Sequence, residues 1–593
     1  MSVSPQGISI QAVYRWYRDG KLSVNRQYQR KLVWTIYEKQ RLVDSIINDY
    51  PIPLFLLAEK SGSGSDPVYE IIDGLQRLNA IFGFIENSYL WNGFCFDINE
   101  SSRARQLHEQ GVFAVQSKDT PRLEASQCAN YLDYQLPITI FPGEETEKIT
   151  DVFGRINSSG KQLSDQERRQ AGVVSLFANT VRSIAAEIRG DVSKDVLLLP
   201  EMPEISIETT KNIHGYKLKA EEIFWCYQGI LRTNHLRDSE DEQMLADVVA
   251  SILHQKPIEA SGSFLDKLYT KDSKEYDEIN RLLTLYSVDR LVAEVKQIFS
   301  LIRESFESYN SQRFCFRDTV YPKPTSNAQK QAFYSVFMAY HDLIFKEGMY
   351  PCDQVGVAAS LKDMTTKIDI GQKYVKAEDR LKNIRVVKGI IRDQFSKADI
   401  LALGHGLGII FDFENSIRRS RTETPRYEFK QGILRLDDTR TLDVALLDSI
   451  VKTISAIANV GPGCDGYLYL GIADKDLDAN RIKHLDAVEP LSFEHVKIVG
   501  IDREVKTLKG RLEDYLRIVS DAITRSDLSE PLKTQVCSSI DVLTYRGFSV
   551  VRISIPRQTS VSFVGDDCYY RNGTSTVKAT ARQISSITRL FSL

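Results

Sequence analysis

A chain of 593 residues with a formal net charge of −3 is too long for one core, and its overall field neither demands nor forbids nucleic acid. The composition, 42% apolar and 26% charged, is that of an ordinary globular protein, and no apolar run approaches a membrane span. The eight cysteines lack paired spacing and Met1 to Gln11 lack a charged-then-apolar signal, so a cytoplasmic protein of about two to four domains with no membrane partner is expected.

The first elements alternate. Leu42, Val43, Ile46 and Ile47 recur at helical spacing, and Pro51-Ile52-Pro53 stops that helix. Leu54 to Leu57 and Tyr69 to Ile72 read as strands joined by a flexible Ser61–Ser65 hairpin loop. The second strand runs into the turn pair Asp73-Gly74, and a helix bearing Leu78, Ile81, Phe82 and Ile85 follows, with Gln76 and Arg77 in its first turn. A strand, a tight glycine turn and a helix start carrying Arg suit a phosphate, because backbone N–H groups point at the anion and Arg offers bidentate donors. A plainer reading stays open, in which Asp73 caps the helix and Arg77 pairs with it on the surface.

From about residue 145 to 395 helical periodicity dominates. Ser164 with Glu167 three residues on is a capping box, expected to open a helix holding Val173, Val174 and Leu176. Asp289 to Ser305 and Gln329 to Phe345 read as amphipathic helices, and a charged helix from about Glu378 to Phe395 links the halves. Gly154 to Lys161 is not a Walker A loop: its glycines enclose five residues rather than four, and Gln162 stands where Ser or Thr must hold Mg²⁺. Gly404 to Gly408 lacks the GxGxxG spacing, and the eight histidines form no HExxH motif.

After about residue 415 strands and glycine turns alternate again. Tyr427 to Lys430 is a short strand with Glu423 five residues before Glu428, and Glu428 and Lys430 share one of its faces. Leu447, Ile450, Val451, Ile454 and Ala458 form a helix face ending at Asn459, ahead of Gly461, Gly463 and Gly466. Tyr467 to Asp474 reads as a buried strand with an acid at its exit. Arg418, Arg419, Arg421 and Arg426 crowd before Glu428, and Arg571 lies in a terminal block, Tyr569 to Ala579. These cations either contact nucleic acid or decorate a solvated loop; Tyr569 and Tyr570 either stack bases or fill a core.

Two resemblances organise these elements. The Asp73-Gly74-Leu75-Gln76-Arg77 run, with Tyr28-Gln29-Arg30, Val33-Trp34 and the block Phe153 to Gly160 followed by Leu163 and Glu167, resembles the ParB-like N-terminal domain of GmrSD-type restriction endonucleases, whose signature is DGQQR. Leu75 replaces the first Gln. The resemblance implies a nucleoside triphosphate held by Arg30, Asp73, Gly74, Gln76, Arg77, Arg155 and Asn157, in a domain that gates or senses DNA. Such enzymes carry a His-based nuclease module, which this chain lacks. The ExxxxExK block, the helix to Asn459, the glycine turn, the following strand and the terminal block resemble the Schlafen AlbA-like domain. That likeness implies Glu423, Glu428 and Asp474 as catalytic ligands of Mg²⁺ or Mn²⁺, hard cations that prefer carboxylates, with Lys430 beside the scissile phosphate. Because Schlafen-type pockets work as paired units, a homo-oligomer is also expected.

The expected architecture is an α+β multidomain chain: a ParB-like mixed α/β core over 1–145, a mostly helical continuation and linker over 146–395, and a Schlafen AlbA-like α/β domain over 415–593. Two functions fit. One is a nucleotide-regulated anti-phage nuclease acting on RNA or single-stranded nucleic acid. The other is a triphosphate-dependent DNA-binding regulator, or a ParB-like nickase, whose C-terminal acids are structural.

Overall fold

The computed structural model describes the chain except residues 1–4, 26–31, 61–66, 111–115, 118, 143–163, 171–172, 191–195, 200–203, 207–216, 324–326, 370–375, 398–408, 421–423, 464 and 592–593. It is mixed α/β with several separate sheets and divides into two compact units, 1–397 and 398–593.

The first unit opens with β1 (Gln6–Ser9), α1 (Ile10–Arg18), β2 (Leu22–Asn25), α2 (Ile36–Ile47), β3 (Phe55–Lys60), β4 (Val68–Asp73), α3 (Leu75–Ile85), α4 (Ser102–Glu109), α5 (Ala125–Asp133) and β5 (Gln135–Pro142). With β6 (Val196–Leu198) these strands form a six-stranded mixed sheet, ordered β1-β5-β3-β4-β2-β6. β3 and β4 pair antiparallel, as the hairpin reading expects, while the loop between them lies outside the described residues. Alternation sends Phe55, Leu57, Ile71, Leu136 and Ile138 to one face, where Val13, Val43, Leu78, Ile81 and Phe82 from the helices complete one core. α2 starts cleanly because Thr35 and Glu38 form a reciprocal capping box.

The rest of this unit is largely helical. Ser164 and Glu167 do cap a helix, with Glu167 N–H donating to Ser164 Oγ at 3.2 Å. That helix is short, Asp165–Gln170, and the chain restarts at Leu176–Arg189 because Ser175 caps the second helix through the Ala178 N–H. Val173 and Val174 therefore lie in the connection rather than on a helix face. Val288–Tyr309 and Lys330–His341 pack through an aromatic cluster in which Phe299 meets Trp225 at 5.1 Å and Phe337 at 5.3 Å. Beyond His341 the backbone widens into a π-turn, Asp342–Lys346. The charged helix runs Ala377–Ile391; Phe395 instead begins a strand paired with Met349–Pro351.

The second unit holds a four-stranded sheet ordered Tyr427–Lys430, Gly466–Leu470, Phe548–Ile555, Ile540–Tyr545, its first pair parallel and the others antiparallel. Helix Val444–Ala458 covers one face, joining Ile450, Ile454 and Ile457 to Leu468, Leu470 and Ile553. Gly466 is obligatory there, since a Cβ would overlap Ile457. On the other face, Phe413 and Ile417 from helix Ile409–Arg419 pack on Tyr427, Phe429, Tyr469 and Tyr545. The strand expected through Asp474 is broken at Gly471, whose φ of 101° diverts Ile472–Ala473 into a separate sheet beside Val496–Ile498.

Candidate functional site

At the β4–α3 junction Gly74 sits at φ 102°, in the left-handed region, and any Cβ there would overlap the Phe55 ring. Only glycine lets the strand turn into the helix at this point. Gly74 is the N-cap and, having no side chain, supplies no side-chain cap to α3. Asp73 does not cap the helix. Its Oδ2 instead accepts from Arg77 at 2.6 Å, while the same guanidinium donates to the Pro53 carbonyl and lies 4.6 Å from the Phe55 ring centre. Arg77 is buried, whereas the Asp73 side chain is 34% exposed, so this ion pair is a partly enclosed fixture rather than a surface contact. Gln76 turns inward: its Oε1 accepts the N–H groups of Val33 at 3.0 Å and Trp34 at 3.2 Å.

One further acid lies close in sequence. Glu70, in the middle of β4, is fully buried and paired with Lys60 across the hairpin. Burial pushes its carboxyl up to about 7, with a hydrogen bond from Asn25 acting the other way, and burial lowers the Lys60 ammonium. Sequence reading passed over this acid. Its signal was available: a lone Glu inside an otherwise apolar strand has to find a buried partner.

In the second unit the structure brings Glu428, Lys430 and Arg571 together. Glu428 Oε1 lies 2.6 Å from Lys430 Nζ, and Oε2 lies 2.8 Å from the Arg571 guanidinium. Arg571 is carried on strand Asp567–Asn572, with its side chain 1% exposed, and it also donates to Thr576 Oγ1 at 2.9 Å and to the Tyr427 carbonyl at 3.3 Å. Asp474 is exposed beyond the Gly471 bend. Glu423 and Arg421 lie outside the described residues, as do Arg30, Arg155 and Asn157. Among the described residues no group of three His, Cys, Asp or Glu side chains is placed to hold a metal ion. As arranged, each Glu428 oxygen faces a cation, Lys430 on one side and Arg571 on the other.

The predicted basic run is largely engaged. Arg418 lies 3.8 Å from Glu414 and 3.4 Å from Glu494, with its guanidinium 5.4 Å from the Phe493 ring centre. Arg419 and Arg426 are half-buried. Tyr570 accepts a hydrogen bond from Gln583 at 2.8 Å, and Tyr569 is half-buried in the same strand.

A buried polar hub stands behind this sheet edge. Glu504 accepts the N–H groups of Ile433 at 2.7 Å and Leu434 at 3.1 Å and the Tyr515 hydroxyl at 2.9 Å. Neighbouring Arg503 donates to Asp486 at 2.8 Å, and Asp486 also takes Arg440 at 2.7 Å. These links fix the loop that leaves the Glu428 strand. The partners come from separate elements, so no local spacing announces them.

No curated protein matches this chain. Residues 13–173, which include the Asp73–Arg77 junction, match the family model described as GmrSD restriction endonuclease, N-terminal domain, so this stretch is similar to that domain.

Proposed function

We propose that this protein is a nucleotide-regulated defence factor of the restriction-endonuclease kind, acting on nucleic acid. Its N-terminal domain holds a nucleoside triphosphate at the β4–α3 junction, and its C-terminal unit engages the RNA or DNA. The observation that carries this reading is the junction itself, inside a domain matching that of a restriction endonuclease. The first-turn N–H groups of an 11-residue helix start beside a guanidinium locked in place by Asp73, Pro53 and Phe55. Such a pre-set cation meets a phosphate with little ordering cost, and two of its five N–H donors are engaged by protein, leaving donors for the anion.

For the C-terminal unit the first reading is Mg²⁺- or Mn²⁺-dependent cleavage by Glu423, Glu428 and Asp474, aided by Lys430, with Arg418, Arg419, Arg421, Arg426 and Arg571 along the nucleic acid and the unit working as a homo-oligomer. A second reading is favoured by one observation: both Glu428 oxygens are held by Lys430 and Arg571. In that case the unit binds nucleic acid without cutting it, under nucleotide control. One experiment separates them. The purified chain is incubated with a panel of RNAs and DNAs, with Mn²⁺ or EDTA and with or without each triphosphate. Shortened products that require Mn²⁺ support the nuclease. A gel shift that persists in EDTA with no shortened product supports the binder. Neither a shift nor cleavage, together with no triphosphate binding, refutes the proposal.

A further inference from the structure

We infer that Gln76 is a positioning residue, which pins the segment entering α2 against the start of α3 and through it ties the nucleotide site to the helical part of the same unit. The nucleotide half of this inference rests on the reading proposed above. A Gln carbonyl oxygen has two acceptor sites, and here the Val33 and Trp34 N–H groups take both, at 3.0 and 3.2 Å. The side chain is buried, so that oxygen is turned into the protein. An acceptor oxygen would in any case repel a phosphate; its use is to fix backbone.

What it fixes is the chain immediately before α2. Thr35 follows Trp34 and caps α2: its N–H donates to Glu38 Oε2 at 2.9 Å, and the Glu38 N–H donates back to Thr35 Oγ1 at 3.3 Å. The other Glu38 oxygen accepts from Arg237, at the end of helix Thr233–Arg237. A continuous set of hydrogen bonds thus runs from the first turn of α3, through residues 33–35 and Glu38, to a helix far along the sequence. Every link is polar and directional, so displacing the α3 end shifts the cap, and the cap shifts its partner Arg237.

The test uses the full chain and two readouts: hydrogen exchange of the 32–35 and 233–237 amides without nucleotide, and calorimetry with ATP, CTP, GTP and UTP in turn. Gln76→Ala is expected to speed exchange at Val33 and Trp34 by about tenfold for each lost bond, and to weaken whichever triphosphate the native protein binds by about tenfold. Gln76→Glu is expected to restore the protection of Val33 and Trp34, because a carboxylate accepts the same two N–H groups, while its added charge leaves the affinity readout to Gln76→Ala. Glu38→Gln is expected to speed exchange at 233–237 while leaving 33–34 protected. Native-like exchange in Gln76→Ala overturns the latch. Exchange at Val33 and Trp34 that stays fast in Gln76→Glu also overturns the inference, since a carboxylate in the same place accepts the same two N–H groups. Unchanged exchange at 233–237 in Glu38→Gln overturns the tie to the helical part. If Gln76→Ala does not fold, the other two variants decide. Should the native protein bind no triphosphate, the nucleotide reading falls, and the exchange measurements still decide whether Gln76 holds the segment.

Discussion

Arg571 meets Glu428 at 2.8 Å from a strand near the C-terminus, closing a buried ion pair at the first strand of the C-terminal sheet. Lys430 holds the second carboxylate oxygen at 2.6 Å, so the acid is flanked by two cations on the face beneath helix Val444–Ala458. Removing one partner of such a pair leaves a charge with little solvent. Arg571→Ala is therefore expected to lower stability by about 3 kcal/mol in urea denaturation. Glu428→Gln should also destabilise, by less, because the amide oxygen still accepts from Arg571. If the unit is a nuclease, Glu428→Gln abolishes Mn²⁺-dependent cleavage while the protein remains folded. If it is a binder, the loss of stability is the only effect, and a gel shift in EDTA is retained.

Arg77 offers a sharper test of the N-terminal site. Its planar fork spans the Pro53 carbonyl and Asp73 while its face lies on Phe55, three contacts that a lysine ammonium cannot make together. Arg77→Lys is expected to weaken triphosphate binding at least about tenfold despite the retained charge, and Arg77→Ala more. Calorimetry on both variants checks this. Equal affinity for Arg77→Lys and the native chain would show that charge alone acts there and remove the geometric role.

Much of the local architecture was legible because local rules decided it. The strand before Asp73, the glycine turn and the helix through Ile85 follow from alternation, from Gly74 and from the 3.6-residue period. Helix Val444–Ala458 and its Asn459 end were likewise readable from one apolar stripe. The misses share a cause. Ser175 restarts a helix that apolar spacing alone continued through Val173, and Gly471 ends a strand whose β-branched and aromatic residues ran on. The inward turn of Gln76 and the Glu504 hub depend on partners distant in sequence, and charge on Arg418 or Arg571 does not reveal that a carboxylate already holds it. Residue type gave the chemistry that a side chain can do; only packing decided whether that side chain was spent.

Glu70 makes stability depend on pH in a direction opposite to most carboxylates. Its folded value, pushed by burial from 4.5 to about 7, lies above the value of the unfolded chain. The folded state therefore holds the proton more tightly, and between these values it carries more protons than the unfolded state. The associated stability is fully present below about 4.5 and is lost as pH rises through about 7. Glu70→Gln is expected to flatten this dependence and to be more stable than the native protein above pH 7, by about 1–3 kcal/mol. Denaturation midpoints from pH 4.5 to 8 check it, and a variant that tracks the native curve across that range would exclude Glu70 as the source.

Gly432 tests whether the Glu504 hub is rigid. A Cβ on Gly432 would overlap the Glu504 carboxylate, an overlap that a free side chain could relieve by swinging away. Glu504 is not free to do so: it is fully buried and holds the Ile433 and Leu434 N–H groups and the Tyr515 hydroxyl. Moving it breaks these bonds in a dry interior, so Gly432→Ala is expected to destabilise by about 2–4 kcal/mol. The clash and the hub share one side chain, so the effects of Gly432→Ala and Glu504→Ala cannot add. The double variant should be no less stable than Glu504→Ala alone, to within about 0.5 kcal/mol. A double-mutant cycle by urea denaturation measures this. Additive losses would mean that Gly432 serves some other contact and that the loop leaving the Glu428 strand is not fixed by Glu504.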